Sequence, residues 1–256
     1  MTSNLLLHLL LLLVVSPLLP GIIARTKAVI GGRKGAPLLQ LYWDLGKLFR
    51  KGMVLSTTTT WVFRAGPVVG LAVPILASLF LPFGDIAAPF SFSGDLILFV
   101  YLFGLSRFFV VLAALDTGSP FEGMGAAREA TFSCLAEPTI FIAFIVLARI
   151  SGSFALDGMY GTLMAGGSDL HLATGIIIPI TMIALFIVML AENSRIPFDD
   201  PNTHLELTMV HEVMVLDHSG PDLGLIEYGS AMKLFVMGAL VVNLVIPPAS
   251  GSLLGD

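Results

Sequence analysis

Long apolar runs alternate with polar segments along the whole chain. The first run, from about Leu5 to Ile23, is long enough to cross a hydrocarbon core of about 30 Å. Five further runs of comparable length predict an all-α, polytopic bundle of about six transmembrane helices. We expect a single integral membrane domain over residues 1–256, with spans at residues 5–23, 61–83, 95–115, 131–150, 170–190 and 231–246.

The segments between these spans differ in positive charge. Eight of the thirteen basic residues lie between Ala24 and Pro67, whereas segments 84–94 and 151–169 contain neither Lys nor Arg. Because cytoplasmic loops are enriched in Lys and Arg, the N-terminus is predicted to lie outside. The first run lacks the positive flank of a secretory signal, so we expect it to be retained as a helix. The predicted cytoplasmic loops are residues 24–60, 116–130 and 191–230.

An amphipathic helix is predicted inside the first of these loops, where Pro37 can occupy the first helical turn. Apolar residues then share one face, and Asp44, Lys47 and Arg50 take the other. This pattern is typical of a helix that lies in the membrane interface. It is compatible with simple anchoring to the headgroups and with docking of a partner. The apolar face consists of Leu38, Leu41, Leu45, Leu48 and Phe49.

The composition excludes a soluble globular domain. Apolar residues make up 56% of the chain and charged residues 12%, with a mean hydropathy of +0.93, whereas soluble domains are about 25% charged. The single cysteine, Cys134, cannot build a disulfide or a thiolate-ligated cluster from this chain alone. Any redox centre would therefore belong to a partner. No dense basic run accompanies the net charge of −5, so no nucleic-acid partner is expected.

Three ionisable residues interrupt the apolar runs: Arg107, Glu137 and Glu192. A charge near the bilayer centre costs about 2.5–3.5 kcal/mol on insertion scales, so such groups usually face a protein interior or a water-filled path. Carboxyl groups that can take up and release protons near neutral pH are what a proton path needs. We therefore expect an ion path formed by Asp116, Glu129, Glu137 and Glu192.

The alternative is that each acid is neutralised by a neighbouring cation. Glu192 would then pair with Arg195, and Glu129 with Arg107 or Arg128. The acids outnumber the cations on the predicted cytoplasmic half, which favours the ion path for the set. For any single residue the sequence leaves both possibilities open.

The long polar segment 191–233 contains eight of the eighteen acidic residues. It is too long for a simple connector and too apolar in its middle to be disordered. Pro197 and Pro201 predict an irregular stretch, and residues 203–216 predict a short helix. Its sequence HEVMVLDH lacks the His spacing that places two imidazoles on one helical face. We therefore expect neither a metal site nor a catalytic residue in this segment.

Three stretches occur in a specific order. They are KGAPLLQLYWDLGKLFRKG with WVFRAGP, then LDTGSPFEGMGAAREATFSCLAEP, and then AENSRIPFDDPNTHLELTMVHEVMVLDHSG, which opens the long segment. Together they resemble the membrane subunit of formate hydrogenlyase and hydrogenase-4, which are group 4 membrane-bound NiFe hydrogenases within the complex I subunit 1 family. The resemblance covers about residues 21–234. THLELTMVHE and GSPF…GMG…RE resemble the hydrogenase branch more than the quinone-reducing branch.

The resemblance implies the heel subunit of a membrane arm in a prokaryotic cell membrane. Such a subunit docks an iron–sulfur small subunit and a NiFe-type large subunit on its cytoplasmic face, and it adjoins antiporter-like membrane subunits. Its acids serve coupled proton or sodium translocation, whereas the iron–sulfur clusters and any NiFe centre belong to the partners. Matching positions assign Asp116, Arg128, Glu129 and Glu137 to the entry of the ion path. They assign to the cavity and docking loop Glu192, Arg195, Asp199, Glu206, Glu212 and Glu227.

Two positions depart from the family pattern. Glu122 stands where SPFxGMG usually has a small residue, and the family is expected to continue for about two helices beyond NLVIPPASGSLLGD.

Two other functions fit part of the pattern. A quinone-site subunit of a complex I-like oxidoreductase would show an open apolar tunnel from the lipid to the loop. A purely structural membrane anchor would show Glu137 and Glu192 fully paired.

Overall fold

The computed structural model describes residues 2–84, 86–164, 171–199 and 209–245. Within these ranges the chain is all-α and contains no β-strand. The helices are α1 (Thr2–Val15), α2 (Leu18–Ile30), α3 (Gln40–Leu48), α4 (Trp61–Ser78), α5 (Asp95–Asp116), α6 (Pro120–Ser151), α7 (Leu156–Met164), α8 (His171–Glu192), α9 (His211–Met214) and α10 (Gly220–Val245).

Six of the helical segments are long and apolar enough to cross a membrane. This confirms the prediction of a polytopic, all-α membrane protein. The spans alternate in direction, so the links after the first, third and fifth spans lie at one end of the bundle, which is the predicted cytoplasmic end. The segments are Leu5–Ile30, Trp61–Ser78, Asp95–Asp116, Pro120–Ser151, Gly175–Glu192 and Gly220–Val245.

Several helix boundaries differ from the predicted ones. α6 and α10 each begin eleven residues earlier than expected, so most of the predicted loop 116–130 is helical. Pro120 suits the first position of α6 because the N–H that proline lacks has no acceptor within a helix there. The first span continues to Ile30 after a break at Ser16 and Pro17. α4 ends at Ser78, five residues before the predicted end.

Two further differences concern short helices. α7 lies within segment 151–169, where no helix was predicted. α3 begins at Gln40 rather than Pro37, and it packs against α10 through its apolar face. Leu45 is buried, and a Cβ at Gly224 of α10 would stand 3.4 Å from Leu48 and from the Phe49 ring. The amphipathic helix therefore packs on the bundle, while its position in the membrane interface stays a prediction.

The hydrophobic core draws on α4, α5, α6, α8 and α10, with contributions from α1 and α7. Phe99, Phe144, Leu147 and Met232 are among its fully buried side chains. At the end opposite the long polar segment, the buried Asp95 carboxylate accepts a hydrogen bond of 2.8 Å from the Leu156 N–H. This bond ties the start of α5 to α7.

α4 lies between α5 and α10, and glycines permit both close approaches. A Cβ added at Gly66 would stand 2.8 Å from the Ala113 Cβ of α5. A Cβ added at Gly229 of α10 would stand 2.7 Å from the backbone oxygen of Gly70. These contacts bring both α5 and α10 close to α4.

Gly229→Ala is expected to destabilise the protein by about 1–3 kcal/mol, because the added methyl group forces two helix backbones apart. The measurement is the melting temperature of the purified full chain in detergent. Gly238→Ala on the same helix is the matched control, since a Cβ there meets no atom within 4 Å. The control should be neutral or slightly stabilising, because Ala is the better helix former. Equal melting temperatures for both variants would contradict the close packing.

Candidate functional site

The Arg107 side chain is buried in the middle of the bundle and contacts three carboxylates. Its Nε lies 3.2 Å from Glu129 Oε1, and its Nη1 lies 2.7 Å from Glu137 Oε1. Its Nη2 donates to Glu192 Oε1. The other oxygen of Glu192 lies 3.0 Å from the Nζ of Lys233. We call these five residues the charge cluster.

Four helices supply the charge cluster. Arg107 comes from the middle of α5, Glu192 ends α8 and Lys233 lies on α10. Glu129 and Glu137 are eight residues apart on α6, which is about 12 Å along a helix axis, and the guanidinium lies between them. The planar guanidinium can reach several carboxylates at once because it carries five N–H donors in a fixed fork. Arg107 thus joins groups that the sequence places far apart.

An inner cavity of about 70 Å³ borders the charge cluster. Arg107, Glu129, Glu192 and Lys233 line it, together with glycines, polar residues and the apolar side chains of Val110, Met214 and Ile226. A water molecule needs about 10–15 Å³ of such volume and two to four polar partners. The inner cavity therefore has room for several water molecules beside the ionised groups.

An outer cavity of about 210 Å³ adjoins the inner one towards the long polar segment. Four residues line both cavities and form a neck between them: Asn193, Ser194, His211 and Ser230. Charged residues line the rest of the outer cavity, and Ile196 is the single apolar side chain among the described lining residues. This lining is not an open apolar tunnel of the kind expected for a quinone. The charged residues are Lys27, Arg195, Asp199, Glu212 and Glu227.

The N-terminal half of α6 holds the segment 209–219 in place. The Arg128 Nη1 donates to the Met209 carbonyl at 3.0 Å. The buried Glu122 carboxylate accepts from the Asp217 N–H at 3.0 Å. Between these two bonds, Gly125 lets Met214 and the Val210 carbonyl approach so closely that a Cβ would stand 2.9 and 3.0 Å from them. Glu122, which departs from the family pattern, thus anchors the polar segment through its bond to Asp217.

At the neck, Asp199 and His211 are joined through the backbone. The Asp199 Oδ2 accepts from the His211 N–H at 3.0 Å, and the other carboxylate oxygen is buried without a hydrogen-bond partner among the described atoms. Burial lowers the pKa of His211, a shift that nearby Glu227 partly opposes. The imidazole is therefore mostly neutral at pH 7, with one donor and one acceptor nitrogen.

Two other side chains close to the segment have pKa values lowered by burial. For Arg195 the shift is partly opposed by Glu227, and the Arg195 Nε has no acceptor among the described atoms. Burial lowers the pKa of His218 to about 4, and its ring stacks on Phe63 of α4 at 3.9 Å between centroids. His218 therefore stays neutral at physiological pH and packs as an aromatic ring.

The predicted alternative pairing of Glu192 with Arg195 is wrong. Glu192 is paired at both oxygens, with Arg107 and with Lys233. α8 ends at Glu192, and Ser194 then adopts a left-handed φ of 47°, which redirects the chain. Arg195 consequently faces the outer cavity. The pairing of Glu129 with Arg107 agrees with the sequence interpretation.

The remaining predicted site residues fall in different places. Asp116 accepts hydrogen bonds from the N–H of Thr60 at 2.6 Å and from its hydroxyl at 2.9 Å, at the start of α4 and away from both cavities. Glu212 and Glu227 are exposed at the outer cavity. Glu206 lies outside the described residues, and so do residues 203–208 of the predicted short helix. Within the described ranges, no group of three His, Cys, Asp or Glu residues is arranged to hold a metal ion.

Sequence reasoning missed two members of the site. Lys233 falls within the predicted span 231–246, but the sequence interpretation groups it with the polar segment 191–233 and gives it no role in the site, whereas α10 carries it into the bundle beside Glu192. His211 was considered only as a metal ligand. Arg107, by contrast, was recognisable as an isolated charge within an apolar run.

The fold and the charge cluster together define a class: a multi-pass membrane protein whose helices enclose an ionisable network open to one end of the bundle. The sequence model described as NADH dehydrogenase matches residues 3–252. The chain belongs to this family, which contains complex I subunit 1.

Individual relatives agree with this assignment. Hydrogenase-4 component C of Escherichia coli (strain K12) is 36% identical over 237 residues, which cover 93% of this chain and 73% of that protein. Formate hydrogenlyase subunit 4 of the same strain is 32% identical over 238 residues, with 93% and 75% covered. These relatives confirm the predicted resemblance and make the chain a membrane subunit of the complex I-like and hydrogenase class.

A solved structure shares the fold. In the structure of the membrane-bound sulfane sulfur reductase, an archaeal respiratory membrane complex, one chain matches with a TM-score of 0.78 and 24% identity. The match covers 95% of this chain and 78% of that chain.

Arg107→Gln is expected to destabilise the protein by about 3–5 kcal/mol, since three carboxylates would be left with one cation. The double variant Arg107→Gln/Glu192→Gln should recover part of that loss, because it also removes the most buried carboxylate. The measurement is the melting temperature of the full chain in detergent, compared in a double-mutant cycle. Arg149→Gln, at an exposed Arg in the last turn of α6, is the control. Strictly additive losses would show that Arg107 and Glu192 are not coupled.

Proposed function

We propose that this chain is the heel subunit of an energy-converting hydrogenase or related complex, and that its charge cluster takes part in coupled proton or sodium translocation. The observation that carries the proposal is the arrangement of the two cavities. The inner cavity borders buried charges at membrane depth, and its neck leads to an outer cavity lined by the long polar segment. A subunit serving only as an anchor would not need this arrangement.

The charge balance of the cluster supports ion uptake. Three carboxylates, Glu129, Glu137 and Glu192, face two cations, Arg107 and Lys233. When all five are ionised the cluster has a net charge of −1, which is unfavourable in a low-dielectric interior. Binding one proton or one sodium ion makes the cluster neutral. The cluster therefore has a place for one monovalent cation at a time.

The neck offers a route for a proton between the two cavities. His211 is largely neutral, so one ring nitrogen can accept a proton while the other donates one. Asn193, Ser194 and Ser230 add small polar groups at the same place. A proton entering from the outer cavity would pass this neck before it reaches Glu192 and Glu129.

Glu137 supplies the route onward. Its side chain is 42% exposed at the surface of the bundle, whereas that of Glu192 is 1% exposed. Only one of its oxygens is paired with Arg107. Glu137 is therefore the acid of the cluster that a neighbouring membrane subunit could reach, and we expect the antiporter-like subunit there.

The segment 209–219 supplies the docking surface for the cytoplasmic partners, which we propose are an iron–sulfur small subunit and a hydrogenase-like large subunit. α6 fixes this segment through Glu122, Gly125 and Arg128, so it presents a defined surface. Glu212 and Leu216 are exposed on it. The iron–sulfur clusters and any NiFe centre would belong to these partners.

A purely structural anchor is the second candidate, favoured by the pairing of both Glu192 oxygens. In that case the cluster would only hold α5, α6, α8 and α10 together. The half-exposed Glu137 separates the two functions, because its neutralisation affects stability little but would interrupt an ion path.

Glu137→Gln is expected to lower coupled turnover at least tenfold while the complex still assembles. Glutamine keeps the shape and can accept from Arg107, but it cannot take up a proton or bind sodium. The measurement is the ratio of ion uptake to electron transfer by the complex in vesicles.

Asp44→Asn is the matched control for Glu137→Gln. The Asp44 side chain is also 42% exposed and is also paired with one cation, Lys47, but it lies on α3. The control should leave the ratio unchanged. An unchanged ratio of ion uptake to electron transfer in Glu137→Gln would favour the structural anchor.

Glu212→Lys is expected to reduce the recovery of the cytoplasmic subunits with the tagged chain, since reversing a charge in a docking surface opposes a complementary partner. The measurement is quantitative mass spectrometry of the purified complex. Asp157→Lys is the control: it makes the same charge reversal on α7, at the other end of the bundle and outside the docking segment. Equal recovery from both variants would remove Glu212 from the interface.

A further inference from the structure

A groove of about 610 Å³ lies beside the start of α4, and its lining shares no residue with the inner and outer cavities. One wall is the loop that precedes α4, and the other is the first two turns of the helix. Pockets that bind small molecules have volumes of about 300–1,000 Å³. The loop contributes Leu55, Ser56, Thr59 and Thr60, and α4 contributes Trp61, Arg64, Ala65 and Val68.

The helical wall changes from polar to apolar along the membrane normal. Trp61, Arg64 and Val68 follow one another at helical spacing, and all three are exposed. Seven residues of helix correspond to about 10 Å, which is the distance from the headgroup region into the acyl chains. Tryptophan is enriched at this boundary because its ring is apolar and its N–H is polar. With Trp61 at this boundary, the groove would continue from the headgroup level towards the hydrocarbon.

Two residues with strong donors, Trp61 and Arg64, line the polar half and are exposed, and neither has an acceptor among the described residues. The Arg64 guanidinium forms none of the ion pairs or hydrogen bonds among the described side chains, although it acts electrostatically on the buried Asp222. The Trp61 indole N–H is likewise not engaged by a described acceptor. Hydroxyl groups of Ser56 and Thr59 complete the polar wall.

The charge around the groove is positive. Residues 45–84 contain no Asp or Glu, whereas Arg50 and Lys51 precede the groove and Arg64 lies in it. Two acids lie close to this region: Asp116, whose oxygens accept from Thr60 of the groove lining, and the buried Asp222, which interacts electrostatically with Arg64. A planar guanidinium matches a phosphate in geometry and charge. Basic pockets at membrane helices are also known to bind anionic lipid headgroups.

We propose that this groove binds one anionic phospholipid from the leaflet on the side of the basic loop 24–60. The phosphate lies at Arg64 and the Trp61 N–H, and an acyl chain lies along Ala65 and Val68. With Trp61 at the headgroup boundary, Val68 would lie about 10 Å deeper, where a soluble protein partner could not reach it. A lipid matches both halves at once. This inference does not depend on ion translocation by the charge cluster.

The test uses native mass spectrometry of the complex purified through the tagged chain and stripped of lipid with detergent. Phosphatidylglycerol and phosphatidylethanolamine with identical acyl chains are then added separately, and the lipid that stays on this subunit after gas-phase release is quantified. We expect phosphatidylglycerol to be retained preferentially. Arg64→Gln should weaken its retention about tenfold, as expected for the loss of a charge-assisted hydrogen bond.

Two further variants make the result specific. Arg33→Gln removes an exposed Arg from the same end of the bundle but outside the groove, and it should retain the lipid as the native chain does. Val68→Trp fills the apolar half at an exposed position, and it should also weaken retention without removing a charge. The second variant keeps the test decisive if Arg64→Gln does not fold.

Other outcomes would overturn the proposal. Equal retention of the two lipids, or no loss in Arg64→Gln and Val68→Trp, would indicate ordinary boundary lipid. Loss of a protein subunit from the Arg64→Gln complex with unchanged lipid retention would indicate a docking surface for that subunit instead.

Discussion

The arrangement of the bundle depends on the burial of one guanidinium. Arg107 is 8% exposed, and a buried charge is tolerated only when opposite charges and hydrogen bonds surround it. The chain meets this requirement with carboxylates from α6 and α8, and with Lys233 of α10 on the far side of Glu192. These ion pairs fix the axial positions of α5, α6, α8 and α10 relative to one another. Apolar packing alone is non-directional and would permit these helices to slide or rotate.

The backbone makes this electrostatic arrangement possible. α4 carries no member of the charge cluster, yet its close contacts with α5 and α10 at Gly66 and Gly229 bring Arg107 and Lys233 to the same carboxylate. The anchors on α6 act similarly at the end of the bundle, where Glu122 and Arg128 hold the polar segment over the neck. Small residues set the spacing of the helices, and charged residues set their register.

The spans and the unusual charges were predictable, whereas the helix ends and the ion pairs were not. Hydropathy indicates which residues prefer lipid, but a helix continues wherever its backbone hydrogen bonds are satisfied. Pro120 and Gly220 therefore begin helices that the apolar pattern places eleven residues later. Which cation pairs with Glu192 depends on the backbone of a single residue. The left-handed conformation of Ser194 directs Arg195 away from Glu192. No periodicity of side chains reveals such a turn.

The partial exposure of Glu137 has a consequence for how the protein is made. A newly inserted chain without neighbours would present part of this carboxylate to lipid, at a cost of up to about 2.5–3.5 kcal/mol. Association with a neighbouring membrane subunit would remove that contact with lipid. The free subunit would then be the less stable species in the bilayer. The same carboxylate would in this way favour the assembled subunit over the free one.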